Sequence, residues 1–369
     1  MKITALTLWK VPLSSHETYY MSDGKQCDTV TTVVLKIDTD NDLSGWGEVC
    51  PIPHYLPAYA DGVQPAIEEL KTLLIGADPV GPEALMKKLN NYLPGHDYAK
   101  SAIDTALWDL TAKAANLPLY RLLGGRQNTD LPLYHSITCI APDAMAKMAT
   151  EAQQQGIQQF QVKLGADNHW QTDVERLVKV REAVGSGPLV YGDWNCGASQ
   201  LDAIRVARAV SHLDIMLEQP CATLKECANV KLAANLPMKI DENAFDTNSL
   251  LQASQLQCMD AVALKLSKFG GLSRMRRARD LCEHLGVKMC IEDTWGSDIT
   301  TSTALHLATA TSPRALLNVC DLSGYVSPRL DAKAPTRKNG TIHVSDAPGH
   351  GVTPDLDVLG EPELMLNSK

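Results

Sequence analysis

The sequence of 369 residues lacks the features that mark several classes of protein. Its net charge of −9 argues against a nucleic acid or an anionic membrane surface as its partner. No apolar run approaches the ~18 residues that a membrane-spanning helix needs. The first residues, MKITALTLWKVPLSSH, contain no continuous apolar segment of the kind found in a signal peptide. We therefore expect no membrane and no nucleic-acid partner.

Two further motifs are missing. The ten cysteines form no CxxC pair and have no regular spacing, which predicts reduced, mostly buried thiols in a cytoplasmic protein. No GxGxxG motif follows a predicted strand, so a dinucleotide site is not expected. The hydrophobic content of 44% and the charged content of 21% are ordinary for a globular protein.

The periodicity of the sequence changes twice along the chain. Residues 1–50 alternate as an antiparallel sheet does, with a turn at Asn41 and Asp42, and residues 62–125 have the apolar spacing of helices. From about residue 130, eight strand-like segments alternate with helical ones, which favours a closed parallel barrel over an open sheet. These patterns predict a first domain at 1–125, a barrel at 126–325, and a segment at 326–369 that returns to the first domain. The eight predicted strands are DLPLYHSIT, FQVKLG, LVYGDWN, IMLEQP, MKIDE, AVALKLSK, KMCIED and ALLNVCDLS.

Charged residues follow five consecutive predicted strands. Lys163, Asp193, Glu218, Asp241 and Lys265 are separated by steps of 30, 25, 23 and 24 residues, about the length of one strand and one helix. The carboxyl ends of barrel strands meet at one rim, where catalytic groups lie. One such acid alone would be interpreted as a helix cap or a surface charge. Three on consecutive strands, without a His or Cys beside them, predict a Mg²⁺ site.

The two lysines belong to opposite sides of the predicted barrel. Lys163 lies on the second strand and Lys265 on the sixth, so their amines would face each other across the metal. A nearby cation lowers the pKa of a lysine, and a neutral amine can act as a base near pH 7. The alternative is that each lysine extends to solvent at its strand end. Asn195 and Glu242 are expected either to support the metal ligands or to be simple loop residues, and Lys268 is expected to lie in a loop.

Several segments resemble the enolase superfamily, and within it the muconate lactonizing enzyme subgroup. The resemblance covers nearly the whole chain and implies a (β/α)7β TIM-type barrel with an N-terminal α+β capping domain. It also implies Mg²⁺ as the cofactor, which stabilises an enediolate after a Lys or His base has removed a proton. The segments that carry it are GWGE at 45–48, AIDTALWDL at 102–110, QVKLG at 161–165, GDWN at 192–195, EQP at 218–220, IDE at 240–242 and LKLSKFGG at 264–271.

Details at the last two barrel strands narrow the resemblance. The seventh reads KMCIEDTWG, without the His base expected of mandelate racemase and the acid-sugar dehydratases. The eighth has Asp321-Leu322-Ser323 where the dipeptide epimerases are expected to have Asp-x-Asp. The segments at 51–59, 93–101, 218–221 and 291–299 resemble the branch that acts on proline derivatives. That branch contains cis-3-hydroxy-L-proline dehydratases and hydroxyproline-betaine 2-epimerases.

This resemblance implies a lyase that dehydrates cis-3-hydroxy-L-proline to Δ1-pyrroline-2-carboxylate, with competing 2-epimerisation. The alternatives are a racemase or 2-epimerase of proline betaine or other N-modified amino acids, and a metal-binding relative without catalysis. It also implies a small amino-acid substrate and a homo-oligomer.

Four residues are candidates for contacting the substrate. Asp293 would pair with the ring nitrogen, with Glu292 as its rival because neighbours in a strand face opposite sides; alternatively, Asp293 only caps a helix. His54 and Tyr55 lie in a Pro-bounded segment that either closes the site or forms an ordinary surface turn. Trp295 would line the pocket or pack beneath the loop.

Overall fold

The N-terminal part of the chain is an antiparallel sheet. A computed structural model describes residues 1–167 and 169–367. Strands β1 (Ile3–Tyr20), β2 (Gln26–Thr39) and β3 (Ser44–Val49) pair in order. The predicted turn between β2 and β3 is present, with Asp42 in the left-handed region at φ 62°. Within these described residues, we find no helix with the length and apolar character that crossing a bilayer requires.

Three helices pack on this sheet, and the third of them explains the glycines of GWGE. A Cβ atom on Gly47 would lie 1.9 Å from the carbonyl oxygen of Ala102, and one on Gly45 would lie 2.2 Å from that of Ala106. Strand β3 therefore approaches the helix backbone at a distance that only glycine permits. These helices are α1 (Val63–Leu74), α2 (Pro82–Tyr92) and α3 (Asp97–Ala114), and the short helix α4 (Leu119–Leu122) follows them and joins the apolar core of the barrel.

The predicted eight-stranded parallel barrel is confirmed. After the short strand β4 (Leu131–Pro132), strands β5 to β12 pair in chain order, and a parallel bridge between Leu133 and Val319 joins the first to the last. The barrel strands are β5 (His135–Ile137), β6 (Gln159–Lys163), β7 (Leu189–Asp193), β8 (Ile215–Glu218), β9 (Met238–Ile240), β10 (Ala261–Lys265), β11 (Lys288–Glu292) and β12 (Leu316–Val319). The helices between them are α5 (Pro142–Gln154), α6 (Trp170–Val184), α7 (Gln200–Ala209), α8 (Leu224–Ala234), α9 (Thr247–Gln255), α10 (Leu266–Phe269), α11 (Leu272–Leu285) and α12 (Asp298–Thr309).

Residues of each barrel strand alternate between the helical layer and the barrel interior. On β6, Phe160 and Val162 join the large apolar core under the helices, so Gln161 and Lys163 point inward. On β9, Met238 and Ile240 belong to that same core, so Lys239 points inward. This period of two decides which polar side chains can meet inside the barrel.

After the barrel, the chain returns to its beginning. Strands β13 (Val326–Ser327) and β15 (Leu364–Asn367) both pair antiparallel with β1. Between them, β14 (Thr341–Ile342) pairs with β4, and α13 (Leu356–Leu359) follows. The domain boundaries at 125 and 325 stay predictions.

Buried carboxylates attach the N-terminal elements to the barrel. Glu48 of β3 accepts hydrogen bonds from the backbone N–H of Ser297 at 2.7 Å and of Thr300 at 2.9 Å, at the start of α12. Asp104 of α3 accepts from the backbone N–H of Ser273 at 2.7 Å and from its hydroxyl at 2.6 Å, at the start of α11. Each acid accepts hydrogen bonds from N–H groups that have no partner within the helix at its start. The negative charge of each acid also interacts favourably with the positive end of the helix dipole. These contacts attach the N-terminal elements, residues 1–125 and called the cap below, to the barrel at the carboxyl ends of its strands.

Candidate active site

The charged residues predicted to meet at one rim do so. Lys163, Asp193 and Glu218 end β6, β7 and β8 and stand in register on neighbouring strands. Asp241 directly follows β9, and Lys265 ends β10. All five are buried. Because the barrel strands are parallel, their carboxyl ends lie on the same side, beneath the cap.

Both predicted lysines form short ion pairs with these acids. The Nζ atom of Lys163 lies 2.5 Å from Oδ2 of Asp193. The Nζ atom of Lys265 lies 2.6 Å from Oδ2 of Asp241. Burial alone would lower the pKa of each lysine, but the carboxylates outweigh it and hold both pKa values well above the ordinary one. The fall in lysine pKa beside a divalent cation stays a prediction.

The position of Lys268 corrects the sequence analysis, which expected this residue to lie in a loop. It lies in the short helix α10, and its Nζ is 2.7 Å from Oδ1 of Asp241. The tight turn of α10 directs this side chain back toward the barrel axis. The two oxygens of Asp241 therefore contact two different ammonium groups, which together hold its pKa below the usual range although burial raises it.

Glu218 is held at both of its oxygens. Its Oε1 lies 2.9 Å from Nζ of Lys239, and its Oε2 accepts a hydrogen bond of 2.7 Å from Nε2 of Gln161. Lys239 is fully buried and lies over the ring of Tyr191, 4.7 Å from its centroid. Burial raises the pKa of Glu218 to about 7, while Lys239 acts in the opposite direction.

Asn195 and Glu242 lie beside the acids. The side-chain amide of Asn195 donates to Oδ2 of Asp193 at 3.0 Å and to Oε1 of Glu242 at 3.1 Å. Asn195 has φ 45°, a left-handed conformation that Asn tolerates better than most residues. Burial, followed by Asp241 and Asp193, raises the pKa of Glu242 to about 8. These contacts suit a supporting role, which stays a prediction.

The donor set at this rim fits a hard cation. Within residues 1–167 and 169–367, no three His, Cys, Asp or Glu side chains are gathered closely enough to hold a metal ion, and lysine ammonium groups pair with Asp193, Glu218 and Asp241. Oε2 of Glu242 nevertheless makes no hydrogen bond with the described part of the chain, and Oε1 of Glu218 has only its ion pair with Lys239 there. Oxygen donors with spare lone pairs suit Mg²⁺ better than Zn²⁺.

A cavity lies between the rim and the cap. It has about 520 Å³ of atom-free space, part of it open to solvent, and both Lys163 and Lys265 line it. Their strands, β6 and β10, are four apart in the eight-stranded barrel and thus on opposite sides. Tyr55 and Trp295 of the predicted substrate contacts also line the cavity. His54 is exposed and does not belong to this lining.

Asp293 and Glu292 both line the cavity, although the sequence analysis expected neighbours to face opposite sides. The reason is that β11 ends at Glu292, so Asp293 is no longer bound by the strand alternation. Asp293 accepts a hydrogen bond from the Ser267 hydroxyl and one of 2.7 Å from the backbone N–H of Thr294. Burial raises the pKa of Asp293 to about 6. Glu292 accepts from the Tyr134 hydroxyl.

Family models match two parts of the chain. Residues 5–124 match the mandelate racemase / muconate lactonizing enzyme N-terminal domain, and residues 144–358 match the enolase C-terminal domain-like family. The chain belongs to the enolase superfamily. Membership of this enzyme superfamily accounts for the N-terminal capping domain and the barrel together.

Individual members of the enolase superfamily are similar along the whole chain. A cis-3-hydroxy-L-proline dehydratase of Roseibium aggregatum is 40% identical over 364 residues, 98% of this chain and 99% of that protein. An N-succinyl-L-Arg/Lys racemase of Bacillus cereus is 28% identical over 98% of both chains. A superfamily member from Roseovarius nubinhibens ISM, solved in complex with magnesium, has a TM-score of 0.94 and 32% identity and covers 100% of both chains.

Two polar residues that the sequence analysis did not name as site residues, and Lys268, which it expected in a loop, contact the buried acids. Gln161 and Lys239 contact Glu218, and Lys268 contacts Asp241. A signal for the first two was present, because each lies two residues before a predicted site residue and so points to the same interior. No comparable signal exists for Lys268, whose contact depends on the turn of α10.

Proposed function

We propose that this chain is a Mg²⁺-dependent lyase that dehydrates cis-3-hydroxy-L-proline to Δ1-pyrroline-2-carboxylate, with competing 2-epimerisation. One observation carries the proposal: Lys163 and Lys265 lie on opposite strands and line one cavity beside three buried acids. The 40% identity to a cis-3-hydroxy-L-proline dehydratase supports the choice of substrate.

Asp193, Glu218 and Asp241 would hold the metal, with Asn195 and Glu242 supporting them. A bound Mg²⁺ would supply positive charge that stabilises the substrate carboxylate as electrons move toward it. The remaining steps belong to the side chains of this protein.

One lysine in its neutral form would remove the α-proton, and the two opposed amines fit the stereochemistry of the substrate. In cis-3-hydroxy-L-proline the hydroxyl lies on the same ring face as the carboxylate, so the α-hydrogen lies on the other face. The Cα–H bond breaks, its electron pair forms the C=C bond, and the C3–O bond breaks. The opposed lysine donates the proton with which the hydroxyl leaves as water. The enamine then tautomerises to the cyclic imine.

The walls of the cavity would orient the substrate. Asp293 is a buried acid at the end of β11 and would pair with the ring nitrogen, and Glu292 is its rival since both line the cavity. Tyr55 and Trp295 would contact the ring. His54 stays a prediction of the sequence alone. A homo-oligomer is also proposed on the superfamily resemblance alone.

The second candidate function is a racemase or 2-epimerase of proline betaine or other N-modified amino acids. It uses the same two lysines, but the opposed amine returns a proton to Cα instead of assisting the hydroxyl. The 28% identity to an N-succinyl-L-Arg/Lys racemase favours keeping this candidate. A relative without catalysis is less well supported, because Lys163 and Lys265 are both retained and both line the cavity.

Incubation in D₂O with Mg²⁺ and each isomer of 3-hydroxy-L-proline separates the three functions. The lyase should release pyrroline-2-carboxylate from the cis isomer and much less from the trans isomer, whose α-hydrogen and hydroxyl share one face. Deuterium uptake at Cα without dehydration of any isomer would favour the epimerase. Mg²⁺ binding with neither reaction on any proline analogue would favour the relative without catalysis.

The lysine assignment has its own test. Lys163→Ala and Lys265→Ala should remain folded and lose dehydration by roughly 100-fold or more, as expected for a general acid or base. Lys100→Ala is the matched control, because Lys100 is equally buried and donates to the carbonyl oxygen of Leu93, away from the site. Turnover of either site variant at the rate of the control would remove that lysine from the reaction.

A further inference from the structure

A chain of buried hydrogen bonds leads from the cap to Glu218. The hydroxyl of Tyr19, near the end of β1, contacts Oγ of Ser136 on β5. Ser136 Oγ lies 2.5 Å from Oε1 of Gln161, and Nε2 of Gln161 lies 2.7 Å from Oε2 of Glu218. All four side chains are buried. Tyr19 belongs to the cap, whereas the other three belong to the barrel.

Glu218, the last member of this series of hydrogen bonds, fixes the direction of every hydrogen bond in the series. An ionised Glu218 can only accept, so Gln161 must turn its NH₂ group toward it and its carbonyl oxygen toward Ser136. Ser136 has a single hydroxyl hydrogen, which it must then donate to Gln161. Its oxygen is left to accept from Tyr19, whose own hydroxyl hydrogen completes the chain. No member can reverse without leaving a buried polar group unpaired.

The series of hydrogen bonds ends at one carboxylate oxygen of Glu218, and Lys239 contacts the other. Gln161 lies on β6 and Glu218 on β8, so this hydrogen bond spans the intervening strand β7. Lys239, in register with Glu218 on β9, contacts the other carboxylate oxygen at 2.9 Å. The two contacts together set the plane of the carboxylate. Hydrogen-bond partners of this kind hold a metal-binding carboxylate in the orientation that the metal requires.

The end of β1 that carries Tyr19 is itself anchored to the barrel. The backbone N–H of Tyr20 donates to Oγ1 of Thr138 at 2.6 Å, and its carbonyl oxygen accepts from the backbone N–H of Cys139 at 3.0 Å. The ring of Tyr19 also packs edge-on against Trp295, with 5.8 Å between the ring centroids. The position of the Tyr19 hydroxyl therefore depends on how the cap sits on the barrel.

We propose that Tyr19, Ser136 and Gln161 are positioning residues for Glu218, through which the seating of the cap sets the affinity of the barrel for its divalent cation. This inference rests on the proposed Mg²⁺ site but assigns residues that the proposed reaction does not use. The three side chains act in series, so removal of any link near Glu218 disconnects every link beyond it.

Calorimetric titration of Mg²⁺ into the full-length protein without substrate tests the inference through a double-mutant cycle. Gln161→Leu should weaken Mg²⁺ binding roughly 10- to 100-fold, the usual effect of losing a partner of a metal ligand. Tyr19→Phe should weaken it about fivefold, as loss of one hydrogen bond predicts. In the Gln161→Leu background, Tyr19→Phe should have no further effect, because the connection is already broken.

Tyr325→Phe is the matched control. Tyr325 also lines the cavity and contacts Ser136, but its hydroxyl accepts from the backbone N–H of that residue at 3.2 Å rather than from the side chain. It should bind Mg²⁺ as the wild type does. If Gln161→Leu does not fold, as circular dichroism will show, Ser136→Ala takes its place in the cycle with the same expectation.

The outcomes separate this inference from the proposed function. A wild-type protein that does not bind Mg²⁺ overturns both. Mg²⁺ binding that Gln161→Leu or Ser136→Ala leaves unchanged overturns the positioning role alone. Independent losses that add in the double variant show that Tyr19 does not act through Gln161, and they too overturn the inference.

Discussion

Acid should destabilise this protein through a buried histidine that must remain neutral. His306 of α12 accepts a hydrogen bond of 3.1 Å at Nδ1 from the backbone N–H of Tyr120, and its Nε2 lies 3.2 Å from the carbonyl oxygen of His350. The first contact requires an unprotonated Nδ1, and the second is satisfied by an N–H on Nε2. Both are met by one neutral tautomer. Burial, followed by the neighbouring His350, lowers the pKa of His306 to about 3.

The sign of the effect follows from proton binding in the two states. Below the ordinary histidine pKa of about 6.5, the unfolded chain binds a proton that the folded protein excludes, so stability is lost as the pH falls toward 3. At pH 5 the loss is about 1.5 pH units at ~1.4 kcal/mol each, or ~2 kcal/mol relative to neutral pH. His350, whose pKa is lowered chiefly by burial, adds a loss of the same sign.

Urea unfolding followed by circular dichroism at pH 7 and pH 5 measures this contribution. In His306→Asn, the decrease in unfolding free energy between the two pH values should be ~2 kcal/mol smaller than in the wild type. Because the substitution itself lowers the unfolding free energy by the same amount at both pH values, this cost cancels when the two decreases are compared. His212→Asn, at an exposed histidine, should show the wild-type decrease. An equal decrease in His306→Asn and the wild type would refute the neutral-histidine argument.

Three substitutions test other parts of the structure. Asp241→Asn should weaken Mg²⁺ binding in calorimetry by roughly 10-fold or more, since a proposed ligand loses its charge, and unchanged affinity would remove Asp241 from the ligand set. Gly47→Ala should lower the free energy of unfolding by at least ~1–3 kcal/mol, because its Cβ would lie 1.9 Å from the Ala102 carbonyl oxygen; wild-type stability in urea would contradict that close approach. Glu48→Gln should cost ~2 kcal/mol in the same assay, because an amide NH₂ would face the N–H groups of α12, and an unchanged midpoint would contradict the capping role.

The barrel and its rim could be predicted because they depend on two simple periods, the alternation of residues along a strand and the repeat of one strand and one helix. The repeat of one strand and one helix brought Lys163, Asp193, Glu218, Asp241 and Lys265 to one rim, as the structure shows. The eight strands followed from the same repeat. Sequence alone also indicated the antiparallel sheet of residues 1–50, where alternation is regular.

The contacts that could not be predicted are made by residues that lie after the ends of the strands, where the path of the backbone does not follow the strand period. Lys268 was expected in a loop, but α10 turns it onto Asp241, a contact that no strand period describes. Asp293 escapes the alternation because β11 ends one residue earlier. His54 was grouped with Tyr55, yet only Tyr55 reaches the cavity. In each case the sequence identified a polar residue near the site, and the local turn decided its contact.

Below the rim, two polar side chains of the barrel interior contact Glu218. Two residues before each rim residue, the same strand face carries another inward side chain, and these include Tyr191 below Asp193, Met216 below Glu218 and Ala263 below Lys265. Gln161 and Lys239 are the amide and the charged group of this set, and both contact Glu218. An uncompensated charge or amide in this layer would cost several kcal/mol, so their retention requires a partner. The middle of the three acids is therefore the one that the barrel itself holds, whereas Asp193 and Asp241 contact Lys163 and Lys265, which line the cavity.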